Sequence, residues 1–236
     1  MTDGLKDRVA LVTGASRGIG AATAGALARA GAHVILTGRS VPDLEAVENA
    51  IFEAGGSATI APLDLTEDDS VAKLGAAIAG RWQSLDILVL NAAMLGPMTP
   101  VPQISGEALA KLFTLNVLAQ QAMIAAFDPL LRKSDAGRLI AVSSGVAQRP
   151  RAYWGAYAAS KAALETLVLS YADEVANLAP LRVAIVNPGP TRTAMRAEAY
   201  PGEDPATLKA PEVVGDAIVE LIVGDFETGH RLNLSR

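Results

Sequence analysis

Tyr157 and Lys161 stand four positions apart in the segment Tyr157-Ala158-Ala159-Ser160-Lys161, a spacing that puts both on one face of a helix. A phenol ordinarily titrates near pH 10, and an ammonium beside it stabilises the phenolate. The pair can therefore exchange a proton with an alkoxide. The same spacing also fits an i,i+4 surface pair. Ser144 follows an apolar run and could hydrogen-bond a carbonyl oxygen, polarising it without serving as a nucleophile; it could equally be a turn residue. The two histidines, His33 and His230, lie far from it in sequence, which disfavours a hydrolase triad.

A second group of residues could hold a nucleotide. Thr13-Gly14-Ala15-Ser16-Arg17-Gly18-Ile19-Gly20 places glycines where a backbone must turn tightly and approach a pyrophosphate, whose charge is met by free N–H groups at a helix start. The spacing GxxxGxG differs from GxGxxG, and a tight strand-to-helix turn explains the letters as well. Further on, Thr37, Gly38 and Arg39 offer no acid to the ribose hydroxyls of NAD. With Arg17 and Arg39 able to converge, the site suits the extra phosphate of NADP(H), with NAD(H) possible. Either arginine could also be a solvated surface charge.

These residues need a scaffold. Apolar, β-branched runs recur at Arg8–Thr13, His33–Thr37, Ala58–Leu63, Asp86–Leu90, Arg138–Ser143, Leu181–Asn187 and Arg231–Leu234, reading as strands. Helical periods fill the gaps: Ile19–Ala30 closed by Gly31, a segment opened by Ser40, Pro42 and Asp43 and closed by Gly55 and Gly56, then Glu67–Trp82, Gly106–Leu131, Gly155–Leu178 and Pro211–Val223. Strands joined by helices run parallel with right-handed crossovers, and their sheet is covered on both faces. The expectation is an α/β fold: a Rossmann-type, doubly wound three-layer α/β/α sandwich in one domain over 1–236. Its functional residues should sit at the carboxyl ends of strands.

Composition narrows the function classes. The 236 residues are 50% hydrophobic and 19% charged, with a formal net charge of −5, so a nucleic-acid partner is not expected. Cysteine is absent, which removes disulfides, thiolate nucleophiles, iron–sulfur clusters and zinc–thiolate sites; no metal site is expected. The uncharged stretch Ile87–Gly106 is broken by Pro97, Pro100 and Pro102, and Leu112–Phe127 carries Asn116, Gln120 and Gln121 as a buried helix would. Neither reads as a membrane span. The start of the chain lacks the pattern of a signal peptide, so a cytoplasmic protein is expected.

Taken together, the motifs resemble those of the short-chain dehydrogenase/reductase family, in its branch of about 250 residues, including members similar to 3-oxoacyl-ACP reductases. Thr13–Gly20 is similar to that family's cofactor loop, Asn91-Ala92-Ala93 to its motif after the fourth strand, Ser144 to its catalytic serine, Tyr157–Lys161 to its YxxxK and Pro188-Gly189 to its later PG motif. Ser144 stands thirteen positions before Tyr157, as in the family. The resemblance implies hydride transfer between nicotinamide and a carbonyl or secondary alcohol, with Tyr157 as general acid or base and Ser144 holding the carbonyl. It implies that Lys161 binds the nicotinamide ribose and favours tyrosinate, and that Asn116 holds a water in a proton relay. For the cofactor it implies Gly14, Ser16, Arg17, Gly18, Ile19, Gly20, Arg39, Asp64, Leu65, Asn91, Ala92, Tyr157, Lys161, Pro188, Gly189, Thr191 and Thr193 as binding residues, with Asp64 after the third strand at the adenine, Arg17 and Arg39 at the basic positions of NADP-preferring members, and Thr193 at the nicotinamide carboxamide.

Ala93 replaces the family's usual glycine, and the glycine-rich tail of many relatives does not follow the last strand. A homodimer or homotetramer through the fourth and fifth helical segments is the implied assembly. Met94, Leu95, Val146, Gln148, Tyr153, Trp154, Pro190 and Met195 are the candidate pocket, walls suited to a small-molecule ketone or a 3-oxoacyl group, and Ala194–Ala210 is a candidate lid. Two other readings use the same loop: a redox-silent NADP-binding regulator, and an isomerase or dehydratase that recycles its bound nucleotide.

Overall fold

The computed structural model describes residues 4–235. Seven strands, β1 (Val9–Thr13), β2 (His33–Gly38), β3 (Ser57–Pro62), β4 (Ile87–Leu90), β5 (Arg138–Val142), β6 (Arg182–Asn187) and β7 (His230–Asn233), form one parallel sheet in the order β3-β2-β1-β4-β5-β6-β7. The helices between them are α1 (Gly18–Arg29), α2 (Val41–Glu53), α3 (Ser70–Ala79), α4 (Gly106–Phe113), α5 (Ala119–Leu131), α6 (Gly155–Val175), α7 (Ala194–Ala199) and α8 (Pro211–Val223). This is the expected doubly wound sandwich.

Within each central strand, alternate residues enter opposite cores. Leu11, Ile35, Leu88, Leu139 and Val183 pack with Leu74, Phe127, Leu164 and Val168 from α3, α5 and α6. Val12, Val34, Val89, Ile140 and Ala184 pack with Leu27, Leu44, Val214 and Ile218 from α1, α2 and α8. Both faces being covered explains why the strands read as unbroken apolar runs rather than alternating ones. The chain leaves β1 in one direction toward β2 and β3, then returns to place β4 on its other side, so a crevice opens at the carboxyl ends of β1 and β4.

Three local features depart from the sequence reading. The third helix begins at Ser70, not Glu67, because Asp69 takes a left-handed conformation, φ 58°, that an α-helix does not admit. The single helix expected over Gly106–Leu131 contains a π-helical stretch, Thr114–Leu118, between α4 and α5; the 3.6-residue pattern runs through it without a signal. The stretch Gly106–Leu131 is long and apolar enough to cross a membrane by composition, but Leu112, Met123, Phe127 and Leu131 are fully buried against the protein. Finally, the proline- and glycine-containing segment after β6 holds α7 and a 3-10 turn, Pro205–Thr207.

Candidate active site

Strand β1 delivers the chain into Gly14 and Gly18, both left-handed at φ 64° and 57°, a conformation in which a Cβ is strained. Gly20 serves another purpose than an open approach to a ligand: a Cβ there would overlap the Gly14 carbonyl oxygen and the Asn91 amide. Asn91 is the brace. Its Nδ2 donates to the carbonyls of Thr13 and Gly14 at 2.9 and 3.2 Å, while Thr13 Oγ1 accepts from the amides of Asn91 and Ala92 at 2.9 and 3.0 Å. The loops after β1 and β4 are thereby one rigid unit.

Helix α1 starts at this loop with no side chain capping it and no acid in its first turn, so its leading amides are free to meet an anion. Arg17 and Arg39 are exposed beside it, and among the described residues neither forms an ion pair. Ser16 lies against Gly38 at the end of β2. Asp64 accepts from the amide and hydroxyl of Thr66 at 2.9 and 2.7 Å; these bonds, with Arg39 adding a smaller Coulombic pull, hold its carboxyl below the usual range. The Leu65 side chain belongs to the core, leaving only its main chain for a ligand. These residues could hold the adenosine, its extra phosphate and the pyrophosphate of a dinucleotide, and Ile19 follows Gly18 in the same turn.

On the far side of the crevice, the segment after β6 packs over the glycine loop: Thr193 Cγ2 would stand 3.4 Å from a Cβ at Gly18. Gly189 turns left-handed at φ 64°, a Cβ there meeting the backbone of Ser235 at 2.8 Å. Thr191 donates to the Pro188 and Gly189 carbonyls at 3.4 and 3.1 Å, which commits its hydroxyl to the loop. Thr193 caps α7, accepting from the Arg196 amide at 3.2 Å.

The proton-handling residues meet where β5 ends and α6 begins. Tyr157 is 6% exposed and Lys161 2%. The ammonium lies 5.9 Å from the centre of the phenol ring and donates to the Val142 carbonyl at 2.8 Å. A neighbouring ammonium favours phenolate, yet burial pushes the Tyr157 phenol up to about 12. Burial likewise pushes Lys161 down to about 8, against the opposing pull of Glu165. Ser144 follows β5 directly, half-buried, its Oγ accepting weakly from Val146 N at 3.5 Å.

Asn116 is fully buried in the π stretch, and its amide has both ends engaged. Oδ1 accepts from Met94 N at 2.9 Å, while Nδ2 donates to Met94 O at 2.9 Å and to Ser160 Oγ at 3.1 Å. The side chain thus ties the loop after β4 to α6. Gln120 adds a second tie, Nε2 donating to the carbonyls of Ala92 and Leu115 at 3.0 Å each.

Above the phenol sits an apolar cluster of Leu95, Val146, Tyr157 and Ala158, flanked by Met98, Trp154, Met195 and Ala199. The Tyr157 hydroxyl points to Met195 Sδ at 3.9 Å, and Trp154 meets Tyr157 edge-on with ring centres 5.9 Å apart. Of the candidate pocket, Leu95, Val146, Trp154 and Met195 come together. Tyr153 and Pro190 are exposed, Gln148 turns toward Glu165, and Met94 takes part through its main chain. Ala199 comes from the candidate lid, whereas Met98 and the buried Glu165 were missed. Glu165 had a signal, an acid four residues after Lys161 and hence on the same helix face.

A model of the short chain dehydrogenase family matches residues 8–204. The chain is 43% identical over 212 residues to YciK of Escherichia coli K12, an oxidoreductase, covering 89% of this chain and 83% of that one. Among solved structures it is similar to a short chain dehydrogenase of Escherichia coli CFT073 complexed with NADPH, at 41% identity and TM-score 0.92 over 99% of both chains. A Shigella flexneri short chain dehydrogenase complexed with NADP gives 40% identity and TM-score 0.92 over 100% of both. With the fold, the braced glycine loop and the Tyr157–Lys161 turn, these likenesses establish that the chain belongs to the short-chain dehydrogenase family of oxidoreductases.

Proposed function

We propose that this protein is an NADP-dependent oxidoreductase of the cytoplasm that interconverts a carbonyl and a secondary alcohol, with Tyr157 as the proton donor and acceptor. The observation that carries the reading is a buried phenol, kept protonated by burial, whose hydroxyl faces an apolar cluster one helical turn from a buried ammonium. The relatives complexed with NADP and NADPH support the cofactor. So does the fit of the residues: uncapped α1 amides for a pyrophosphate, and two exposed arginines that form no ion pair among the described residues for a further phosphate.

When bound, the nicotinamide supplies the hydride. The chain's own residues do the rest. Ser144 Oγ donates to the carbonyl oxygen and orients it. Tyr157 releases its proton to that oxygen as negative charge develops there, and runs in reverse for alcohol oxidation. Lys161 offsets the resulting phenolate and binds ribose hydroxyls, while the water-holding part implied for Asn116 falls to its main chain, its amide being engaged elsewhere. Thr193, at the mouth of the crevice, would hold the carboxamide. Leu95, Met98, Val146, Trp154 and Met195 favour an apolar ketone or a 3-oxoacyl chain over a polar sugar; Met195 must yield for such a substrate to reach the phenol.

The test is net consumption of NADPH by the purified protein with a panel of apolar ketones and 3-oxoacyl thioesters. Consumption matched by alcohol formation supports the reading. Product without net consumption would indicate an isomerase, and nucleotide binding with no turnover on any carbonyl would indicate a regulator.

A further inference from the structure

Helix α6 carries a carboxylate into the same interior. Glu165 lies one turn past Lys161 and is 5% exposed, a position in which an unmet charge would be costly. It is met from three sides. Ser143 Oγ donates to Oε1 at 2.6 Å, Gln148 Nε2 approaches Oε2 at 3.5 Å, and Arg231 of β7 forms an ion pair with Oε2. The mechanism above uses none of these groups. Yet three successive residues at the end of β5 are divided among its parts. The Val142 carbonyl takes the Lys161 ammonium, the Ser143 hydroxyl goes to Glu165, and Ser144 is free for substrate. Ser144 keeps an extended backbone, φ −156° and ψ 151°, so its side chain leaves on the side opposite Ser143.

We propose that Glu165, held by Arg231, is a positioning residue of this site: it clamps the end of β5 through Ser143 and sets a negative charge beside Lys161. The inference rests on the reading of Tyr157 and Lys161 given above. It assigns β7, the strand farthest along this edge of the sheet, a part in organising a centre two strands away.

Among the described residues, the charged and titratable groups around the ammonium are Tyr157 and Glu165 on α6 itself and, through Glu165, Arg231 on β7. Strand β5 presents the Val142 carbonyl and uncharged Ser143, and the π stretch meets α6 through the uncharged Asn116. Two isosteric changes therefore push in opposite directions. Glu165→Gln removes the negative charge that favours the ammonium, whereas Arg231→Gln removes the positive charge that masks it.

The experiment is an NMR titration of the full chain with carbon-13 at the lysine ε position, the Lys161 signal being identified by its loss in Lys161→Arg. The expected result is a Lys161 midpoint lowered by about one pH unit in Glu165→Gln and raised in Arg231→Gln. An unmoved midpoint in both, or movement in one direction in both, as general loosening would give, overturns the proposal. If Glu165→Gln fails to fold, Arg231, whose side chain is 39% exposed, decides alone, an upward shift supporting the proposal and any other result overturning it. The alkaline limb of kcat for ketone reduction should follow the midpoint in each variant. A midpoint that moves while that limb stays fixed leaves the clamp standing and contradicts the catalytic part given to Lys161.

Discussion

Burial acts on Tyr157 and Lys161 in opposite senses, holding a proton on the phenol and loosening one from the ammonium. A lysine whose pKa falls from 10.5 to about 8 on folding binds its proton more weakly in the native state than in the unfolded chain. Wild-type stability should therefore rise with pH between those values through this group. Tyr157, raised from 10.0 to about 12, works against stability as pH climbs between its own two values. Lys161→Met should remove the desolvation cost of the charge, stabilise the fold at neutral pH by about 1–3 kcal/mol net of the lost bond to Val142, and abolish turnover. Denaturant midpoints across pH check this, since the rise above pH 8 should vanish in the variant. At the other end of the crevice, Arg39→Asp should shift preference from NADPH toward NADH by at least tenfold in Kd, about 1.4 kcal/mol, read by paired fluorescence titrations. An unchanged ratio would remove Arg39 from cofactor selection.

The elements show why some of this was readable in advance. Gly14 and Gly18 were legible as turn residues because no other side chain adopts their backbone angles freely. Gly20 was legible as a motif letter but not in its role, because the Asn91 amide that fills its place arrives from a loop 71 positions away. Gly20→Ala should cost about 2–3 kcal/mol through overpacking and weaken nucleotide binding together with stability, checked by thermal melts with and without NADPH. The π stretch at Thr114–Leu118 was illegible since apolar periodicity continues across it, and only the partners of Asn116, Met94 and Ser160, mark the spot. Likewise α7 hides in a stretch whose Pro201, Gly202 and Pro205 advertise a loop.

For the whole molecule, alternation of strand and helix sufficed for the parallel sheet and the edge where ligands gather, because right-handed crossovers leave few other arrangements. Leu118 is 62% exposed, with Leu109 on α4 and Leu167 on α6 also reaching solvent, a set suited to pairing with a second copy of the chain. Leu118→Glu should convert the dimer or tetramer we expect into a smaller species by light scattering, with the fold intact by circular dichroism. A wild-type monomer would contradict this assembly. The central claim is that one buried phenol moves the proton while the rest of the molecule binds and orients. Tyr157→Phe tests it most directly, because removing a hydroxyl that meets the Met195 thioether at 3.9 Å leaves packing and the nucleotide crevice in place. The account predicts NADPH affinity within a factor of about 3, less than 1 kcal/mol, and ketone reduction reduced at least a thousandfold, about 4 kcal/mol of transition-state stabilisation; a variant that binds NADPH and turns over at the wild-type rate would contradict it.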